Sequence, residues 1–225
     1  LKGQPWDTHS DNANATKKRN VLEFGGRIVE CEPGDGPREQ MVLDLQRETG
    51  AVTIHPFNDY SIIAGQATAA KELLEDVPGL DSIVAPVGGG GLLSGTALAA
   101  HYFFPQTKVI AGEPSGADDA YRSLYSGSIQ GNPTIHTIAD GLITKLGDKT
   151  FPIIQQHVDD IIRVDDEEIA VAMRQLWERL RVTVEPSGAV SYAAVLKEKS
   201  RFLRQKVGII LSGGNVDLDR IPFLQ

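Results

Sequence analysis

Four consecutive glycines, placed between an apolar run and the start of a helix, constrain this chain more than any other feature. Residues 82–87 have the length and composition of a buried strand, and they end abruptly at Gly88, Gly89, Gly90 and Gly91. Four glycines cost conformational entropy, so a plain connection rarely uses them. Glycine lets main-chain N–H groups approach an anion, and the helix that begins at Leu92 adds its positive dipole end. The pattern predicts a phosphate-binding loop; the alternative is a tight turn packed against a neighbouring element.

The residues around the glycines exclude two common types of phosphate loop. No Lys-Ser or Lys-Thr pair follows the last glycine, as a Walker loop requires, and the spacing is not G-x-G-x-x-G. The whole chain has a formal net charge of −8, which provides no positive surface for nucleic acid or an anionic membrane. We therefore predict no nucleic-acid partner and no membrane partner. Small anions are expected to be held by main-chain N–H groups instead.

Helical and strand-like patterns alternate along most of the chain. Short apolar runs separated by helices predict an α/β fold, with a mostly parallel twisted sheet covered by helices on both faces. Asp165 and Glu168 have the spacing of a capping box at a helix start. Residues 1–10 show no periodicity and are left unassigned. The patterns predict helices at residues 16–25, 38–49, 62–74, 92–104, 165–180 and 187–199, and strands at residues 27–31, 51–55, 82–87, 108–111 and 207–211.

Cysteine content and hydropathy bear on the location of the protein. A single cysteine, Cys31, cannot form an internal disulfide and leaves too little sulfur for a cysteine-rich zinc site. No apolar run approaches the ~18 residues of a membrane span. The first residues hold no apolar core of a signal peptide. We therefore expect a soluble, cytoplasmic protein.

Residues 88–92, called the glycine loop below, are followed by Ser94 and Gly95. Together they resemble the phosphate loop of fold-type II pyridoxal-phosphate enzymes. The resemblance is to the serine/threonine dehydratase and serine racemase group, which is related to the tryptophan synthase beta chain. It covers about residues 10–217, and no single motif in it is as specific as the ordered set. The further matching stretches, in chain order, are residues 55–59 (HPFND) with 64–66 (AGQ), 112–114 (GEP), 117–120 (ADDA), 137–141 (TIADG), 185–189 (EPSGA) and 211–217 (LSGGNVD).

This resemblance implies a domain organisation and a cofactor site. Residues 1–9 would be an unassigned tail, residues 10–57 the remnant of a small domain, and residues 58–225 the large domain that binds pyridoxal 5′-phosphate. The fold is expected to be incomplete at its N-terminus. Ser212 would face the pyridine nitrogen of the cofactor, although a plain turn serine after a strand is the alternative. The remaining cofactor-binding residues implied by the resemblance are Gly88, Gly89, Gly90, Gly91 and Leu92 at the phosphate, Gly141 and Glu185 at the ring edge, and Phe57 through its backbone.

The serine racemase branch of the group also implies a cation site. Glu113 and Asp119 would supply carboxylates and Ala117 a main-chain carbonyl, with Asp81 making a further contact through water. Oxygen ligands of this kind suit a hard cation such as Mg²⁺ or Ca²⁺. The alternative is a helix N-terminus whose acidic residues complement the helix dipole.

The same branch implies a homodimer with a nucleotide effector bound at the subunit interface. Asn215 and Arg181 stand at matching positions, and Arg181 replaces a lysine of that branch. Lys149 stands where the branch has asparagine.

The activity implied by the resemblance is that of an ammonia-lyase, a serine racemase or both, with serine, threonine or 3-hydroxyaspartate as substrate. The Schiff-base lysine of the family lies in an S-x-K-x-R-G motif, and none of the ten lysines of this chain has that setting. We therefore assign no catalytic residue and expect these 225 residues alone to be inactive. Two explanations stay open. The chain is a fragment of a longer enzyme, or it is a non-catalytic module that binds the cofactor or a partner subunit.

Overall fold

The computed structural model describes residues 5–10, 15–32 and 35–224. By main-chain proximity the chain divides into two compact units, which are described separately. The first comprises residues 1–54 with 215–221, and the second comprises residues 55–214 with 222–225. The domain roles inferred from the sequence, with a boundary after residue 57, remain a prediction.

In the first unit, two short parallel strands are joined through a helix. Strand β1 (Trp6–Ser10) pairs with β2 (Arg27–Cys31), and helix α1 (Ala15–Glu23) connects them. Gly25 ends α1 with a φ of 80°, the left-handed conformation that glycine adopts without strain. Helix α2 (Asp35–Thr49) follows β2. Strand β1 lies in the segment that the sequence left unassigned, since its polar residues show no apolar alternation.

The second unit is built on a four-stranded parallel sheet with the strand order β5-β4-β3-β6. This arrangement confirms the α/β class and the parallel sheet predicted from the sequence. The strands are β3 (Ser82–Pro86), β4 (Lys108–Pro114), β5 (Asp160–Val164) and β6 (Val207–Ile209). The helices are α3 (Tyr60–Asp76), α4 (Gly91–Phe103), α5 (Asp119–Ser126), α6 (Thr150–His157), α7 (Asp166–Leu180) and α8 (Pro186–Lys197).

Helices cover both faces of this sheet, so all five residues of β3 are buried. Alternate residues of the sheet, such as Ile83 and Ala85, share an apolar core with Leu93 and other residues of α3, α4 and α6. On the opposite face, α8 lies so close to β4 that a side chain at Gly112 would meet Val190. Strands buried on both faces read as continuous apolar runs, which is why 82–87 was recognisable in the sequence.

Some of the elements and helix ends predicted from the sequence are present in the structure, and others are not. The capping box is present, since Asp165 accepts the N–H of Glu168 and the Glu168 side chain accepts the N–H of Asp165. The strand predicted at residues 51–55 is wrong, because Val52 and Ile54 are exposed and the structure forms no strand there. Strand β5 and the short helices α5 and α6 were missed, since each spans eight residues or fewer, less than the window over which a helical period is judged. None of the described helices is both long and apolar enough to span a membrane.

Candidate active site

The glycine loop, residues 88–92, lies at the carboxyl edge of the sheet. It follows β3, whose neighbours are β4 on one side and β6 on the other. Ser212 follows β6 by three residues, so both segments leave the same edge of two paired strands. The chain proceeds from β3 towards β4 and β5, and only later returns to β6 on the far side. Ligands of open α/β sheets bind at the carboxyl edge where the strand order changes direction in this way.

Main-chain N–H groups are available along the glycine loop. Gly90 is the N-cap of α4, and no side chain forms a capping hydrogen bond there. The first four N–H groups of a helix have no partner inside the helix, so those of Gly90, Gly91 and Leu92 are open to an acceptor. Within the described ranges, the N–H groups of Gly88 and Gly89 also form no hydrogen bond. The loop therefore presents a row of donors beside the positive end of α4.

The inner side of the loop is filled by neighbouring residues. The Phe57 ring occupies the space beside Gly89, and its Cα and Cβ lie against Gly91. A side chain at Gly88 would meet the backbone of Gly141 and Leu142. Gly90 has a φ of 91°, which disfavours any L side chain. Glycine is therefore required here by packing as well as by ligand access.

A continuous set of contacts links the loop to the other predicted cofactor residues. Gly141, which touches Gly88, donates its N–H to the buried hydroxyl of Ser187 at 2.9 Å. Ser187 is followed by Gly188, whose Cα faces the backbone of Ser212 and Gly213. Gly213 in turn accepts the N–H of Glu185 at 3.0 Å.

Burial differs sharply between two of these residues. The Glu185 side chain is buried against Gly213, whereas Ser212 is exposed. The predicted phosphate and ring residues are thus brought together at the carboxyl edge of the sheet.

Comparison with known proteins bears on this arrangement. The family model described as pyridoxal-phosphate dependent enzyme matches residues 8–213. The chain belongs to the pyridoxal-phosphate dependent enzyme family. Among its relatives, it is 48% identical to a beta-hydroxyaspartate dehydratase of Paracoccus denitrificans, with 94% of this chain and 67% of the relative aligned. It is 47% identical to a serine racemase of Oryza sativa subsp. indica, over 92% of this chain and 62% of the relative.

A solved structure shows the same fold. The structure of maize serine racemase superposes with a TM-score of 0.92 at 45% identity, covering 96% of this chain and 67% of that chain. The chain thus spans about two thirds of the length of the relatives it matches. These findings confirm the resemblance and the fold-type II architecture inferred from the motifs.

The residues present fit the cofactor of this family. A phosphate group needs several N–H donors and close backbone approach, and residues 88–92 supply both. Ser212, on the neighbouring strand end, offers a neutral hydroxyl that can donate to or accept from a pyridine nitrogen.

Glu113 and Asp119, predicted as cation ligands, are both buried beside the start of α5. The two oxygens of Glu113 accept the N–H groups of Ala120 and Tyr121 at 2.7 and 2.8 Å. Burial raises the pKa of Glu113 to about 8, although these N–H groups oppose the shift. The carboxylate therefore caps the helix, which agrees with the structural alternative noted above.

Asp119 retains an oxygen with no partner among the described residues. Its Oδ1 accepts from the Asn132 amide at 2.6 Å, while the buried Oδ2 accepts no hydrogen bond there. Burial raises the pKa of Asp119 to about 6. Ala117, also buried, precedes it by two residues. In the described part of the chain, no group of three or more His, Cys, Asp or Glu side chains is arranged to hold a metal ion.

The structure corrects the assignment of Asp81 to this cation site. Asp81 immediately precedes β3, at the amino edge of the sheet, where its carboxylate accepts the N–H of Lys206 at 2.7 Å. Because Pro86 pairs with Gly112 in the register of β3 and β4, Glu113 lies beside Val87. Val87 is six residues further along the chain than Asp81. At about 3.3 Å per residue the separation is about 20 Å, too long for a contact through one water molecule.

Two of the three residues implied in nucleotide binding, Lys149 and Asn215, form side-chain hydrogen bonds in the structure. Lys149 donates its ammonium to the carbonyl of Asn58 at 3.2 Å. Arg181 ends α7 with a φ of 58°. Asn215, in the first unit, accepts from the amide of Asn20 at 3.1 Å.

Three residues around the glycine loop were not assigned a role from the sequence. Asn58 accepts the N–H of Lys149 at 2.9 Å and donates to Asp148 at 2.7 Å, so it holds the turn before α6. Thr150, at the start of α6, donates to the carbonyl of Gly89 at 2.8 Å, and Ser187 accepts the N–H of Gly141. Asn58 and Ser187 lie inside recognised motifs, which was the available signal. Thr150 had none, because its partner is 61 residues away.

Proposed function

We propose that this chain is the cofactor-binding part of an enzyme that acts on small hydroxy amino acids as an ammonia-lyase, a serine racemase or both. The observation that carries the proposal is the glycine loop, whose open N–H groups lie at the carboxyl edge of the sheet next to Ser212. The names of the relatives support serine and 3-hydroxyaspartate as substrates. A solved structure of a threonine deaminase, 41% identical to this chain, supports threonine.

In this proposal, the main-chain N–H groups of residues 88–92 hold the cofactor phosphate. Ser212 faces the pyridine nitrogen, Gly141 and Glu185 lie along the ring edge, and Phe57 contributes a backbone contact. The dipole of α4 adds favourable electrostatics for a dianion without any basic side chain. This arrangement suits a chain of net charge −8.

When bound, pyridoxal 5′-phosphate supplies an electron sink for the α-carbon of an amino acid. The identity of Ser212 tunes this property, because a neutral hydroxyl does not hold the pyridine nitrogen protonated as a carboxylate would. A weaker electron sink favours elimination of a β-hydroxyl or a brief α-carbanion over transamination. Both favoured reactions correspond to the activities named for the relatives.

A second candidate, a non-catalytic cofactor-binding or subunit-interaction module, is favoured by one sequence observation. The S-x-K-x-R-G motif is absent from the printed sequence. Lys149, which precedes Thr150 and whose ammonium donates to the carbonyl of Asn58, does not lie in such a motif.

We also propose that Glu113, Asp119 and the carbonyl of Ala117 bind Mg²⁺ or Ca²⁺. The buried Oδ2 of Asp119 supports this site because a buried carboxylate oxygen without a hydrogen-bond donor is stabilised by a cation. A homodimer, a nucleotide effector at Arg181, Asn215 and Lys149, and a cytoplasmic location complete the proposal. The single cysteine, typical of a reducing compartment, supports that location.

Two measurements test the principal proposal. The chain is first loaded with pyridoxal 5′-phosphate, treated with borohydride and digested, to locate any lysine that the cofactor has modified. The loaded chain and the whole protein are then incubated separately with L-serine, L-threonine and L-threo-3-hydroxyaspartate, and ammonia, 2-oxo acid and the D-enantiomers are measured.

The outcomes separate the two candidates. Product from the whole protein but not from the chain supports the enzyme proposal and assigns the reacting lysine to residues outside the printed sequence. Cofactor binding without product from either sample supports the non-catalytic module. Failure of a folded sample to bind the cofactor overturns both.

A further inference from the structure

The hydroxyl of Thr150 forms two hydrogen bonds at the inner side of the glycine loop. It accepts the N–H of Gly147 at 2.9 Å, and its proton faces the carbonyl of Gly89 at 2.8 Å. The carbonyl of Gly147 is a more distant acceptor at 3.3 Å, so the shorter bond goes to Gly89. Thr150 is fully buried, and water therefore does not compete for these bonds.

The bond to Gly89 determines the direction of the next N–H group. Peptide bonds are planar, and the structure contains no cis peptide bond among its described residues. In a trans peptide, the carbonyl of one residue and the N–H of the next point in opposite directions. Because the Gly89 carbonyl points inward to Thr150, the Gly90 N–H points outward, to the open side of the loop.

The turn that carries Thr150 is itself held firmly. Asn58 accepts the N–H of Lys149 and donates to Asp148, and Ser94 of α4 donates to the carbonyl of Thr150 at 3.3 Å. Asn58 directly follows Phe57, whose ring packs on Gly89. These contacts form a closed circuit. They lead from the glycine loop to Thr150, through the turn at 147–149 to Asn58, and through Phe57 back to the glycine loop.

We infer that Thr150 is a positioning residue for the cofactor phosphate, acting through the Gly89–Gly90 peptide. The inference rests on the proposed cofactor site. Without the hydroxyl, the Gly89 carbonyl loses its buried donor and the peptide is free to rotate. One of the N–H groups that face the phosphate is then misdirected. Thr150 touches neither cofactor nor substrate, and its effect is confined to recognition of the phosphate group.

The experiment compares two ligands that differ only by the phosphate, pyridoxine 5′-phosphate and pyridoxine. Neither has an aldehyde, so neither forms adducts with surface lysines. Their dissociation constants are measured by calorimetry on the full chain and on T150V, T150S and T107V. Thr107 is a matched control, because its hydroxyl donates to the carbonyl of Leu80 at 2.8 Å, at the opposite edge of the sheet.

The original chain is expected to bind the phosphorylated ligand more tightly than pyridoxine. T150V should weaken pyridoxine 5′-phosphate binding by about tenfold or more, since a hydrogen bond to a charged group is involved. Its affinity for pyridoxine should change less than about twofold, within the usual scatter for a site not directly touched. T150S should restore the phosphate preference, and T107V should keep it. Should T150V fail to fold, T150A removes the hydroxyl without filling the site and enters the same comparison.

Three results would overturn the inference. A folded T150V or T150A that keeps the full phosphate preference shows that the Gly90 N–H needs no such support. Equal weakening of both ligands indicates a general structural role. If the original chain itself does not prefer the phosphorylated ligand, the proposed cofactor site fails, and the role of Thr150 fails with it.

Discussion

The ring of Phe57 occupies the space beside Gly89 that any side chain at that position would need. The two residues are 32 positions apart in the sequence, and their contact fills the inner side of the glycine loop. A glycine that follows a strand and precedes a helix is often explained by ligand access alone. Here an aromatic neighbour imposes the same requirement before any ligand is considered.

Gly89→Ala is therefore expected to strain the folded loop. The added methyl overlaps the Phe57 ring, and overpacking of this kind costs about 1–3 kcal/mol of unfolding free energy. Binding of pyridoxine 5′-phosphate should also weaken, since the loop must move. Thermal unfolding and calorimetry measure the two effects. Gly131→Ala is the control, because a Cβ there meets nothing within 4 Å; equal stability of the two variants would contradict the prediction.

Ser187→Ala should destabilise the chain, whereas Ser191→Ala should be nearly neutral. Both serines are buried in α8, one turn apart. The buried hydroxyl of Ser187 accepts the N–H of the exposed Gly141, and loss of such a bond costs about 0.5–1.5 kcal/mol. The hydroxyl of Ser191 has no hydrogen-bond partner among the described residues. Urea denaturation of the pair measures the difference, and similar midpoints would refute the role given to Ser187.

The stability of the metal-free chain should decrease as pH rises from about 5 towards 8. The pKa of Glu113 is raised from 4.5 to about 8, and that of Asp119 from 3.8 to about 6. Between the ordinary and the raised pKa of each carboxyl group, the folded state binds more protons than the unfolded state. Rising pH therefore favours unfolding over that range. Glu113→Gln should remove most of the decrease between pH 6 and 8. Denaturation in a chelating buffer at several pH values measures it, and an unchanged slope in the variant would exclude Glu113 as its source.

Mg²⁺ or Ca²⁺ should raise the unfolding temperature if Glu113 and Asp119 bind the ion. A ligand that binds only the folded state stabilises it by about 2.7 kcal/mol at a hundred times its dissociation constant. Asp119→Asn should abolish the response by removing a charged ligand. Asp76→Asn, at an exposed position, should keep it. The same shift in all three proteins would show that the ions act elsewhere on this acidic chain.

Local sequence was informative where the decisive interactions are close along the chain. The apolar run at 82–87 and the four glycines predicted a strand and a loop because backbone conformation and burial depend on neighbouring residues. The capping box at Asp165 and Glu168 was recognised for the same reason. The ordered motifs identified the family, since they record a whole arrangement rather than one contact.

Interactions between distant segments were not visible in this way. Strand β5 and helices α5 and α6 are too short to be recognised from a period, and packing against the sheet rather than local propensity stabilises such short elements. The proposed cation site shows the limit most clearly. The family resemblance grouped Asp81 with Glu113, but the parallel register places them at opposite edges of the sheet.

The sequence by itself determined the α/β class, the family and the position of the glycine loop. Only the tertiary structure decided how that loop is held. Phe57, Gly141 and Thr150 approach it from three separate segments, and each contacts a different part of the loop. Glycine spacing depends on local backbone freedom, which a sequence displays directly. The direction of the Gly90 N–H depends on the Gly89 carbonyl, which is bonded to Thr150 across 61 residues, and only the folded chain brings these two groups into contact.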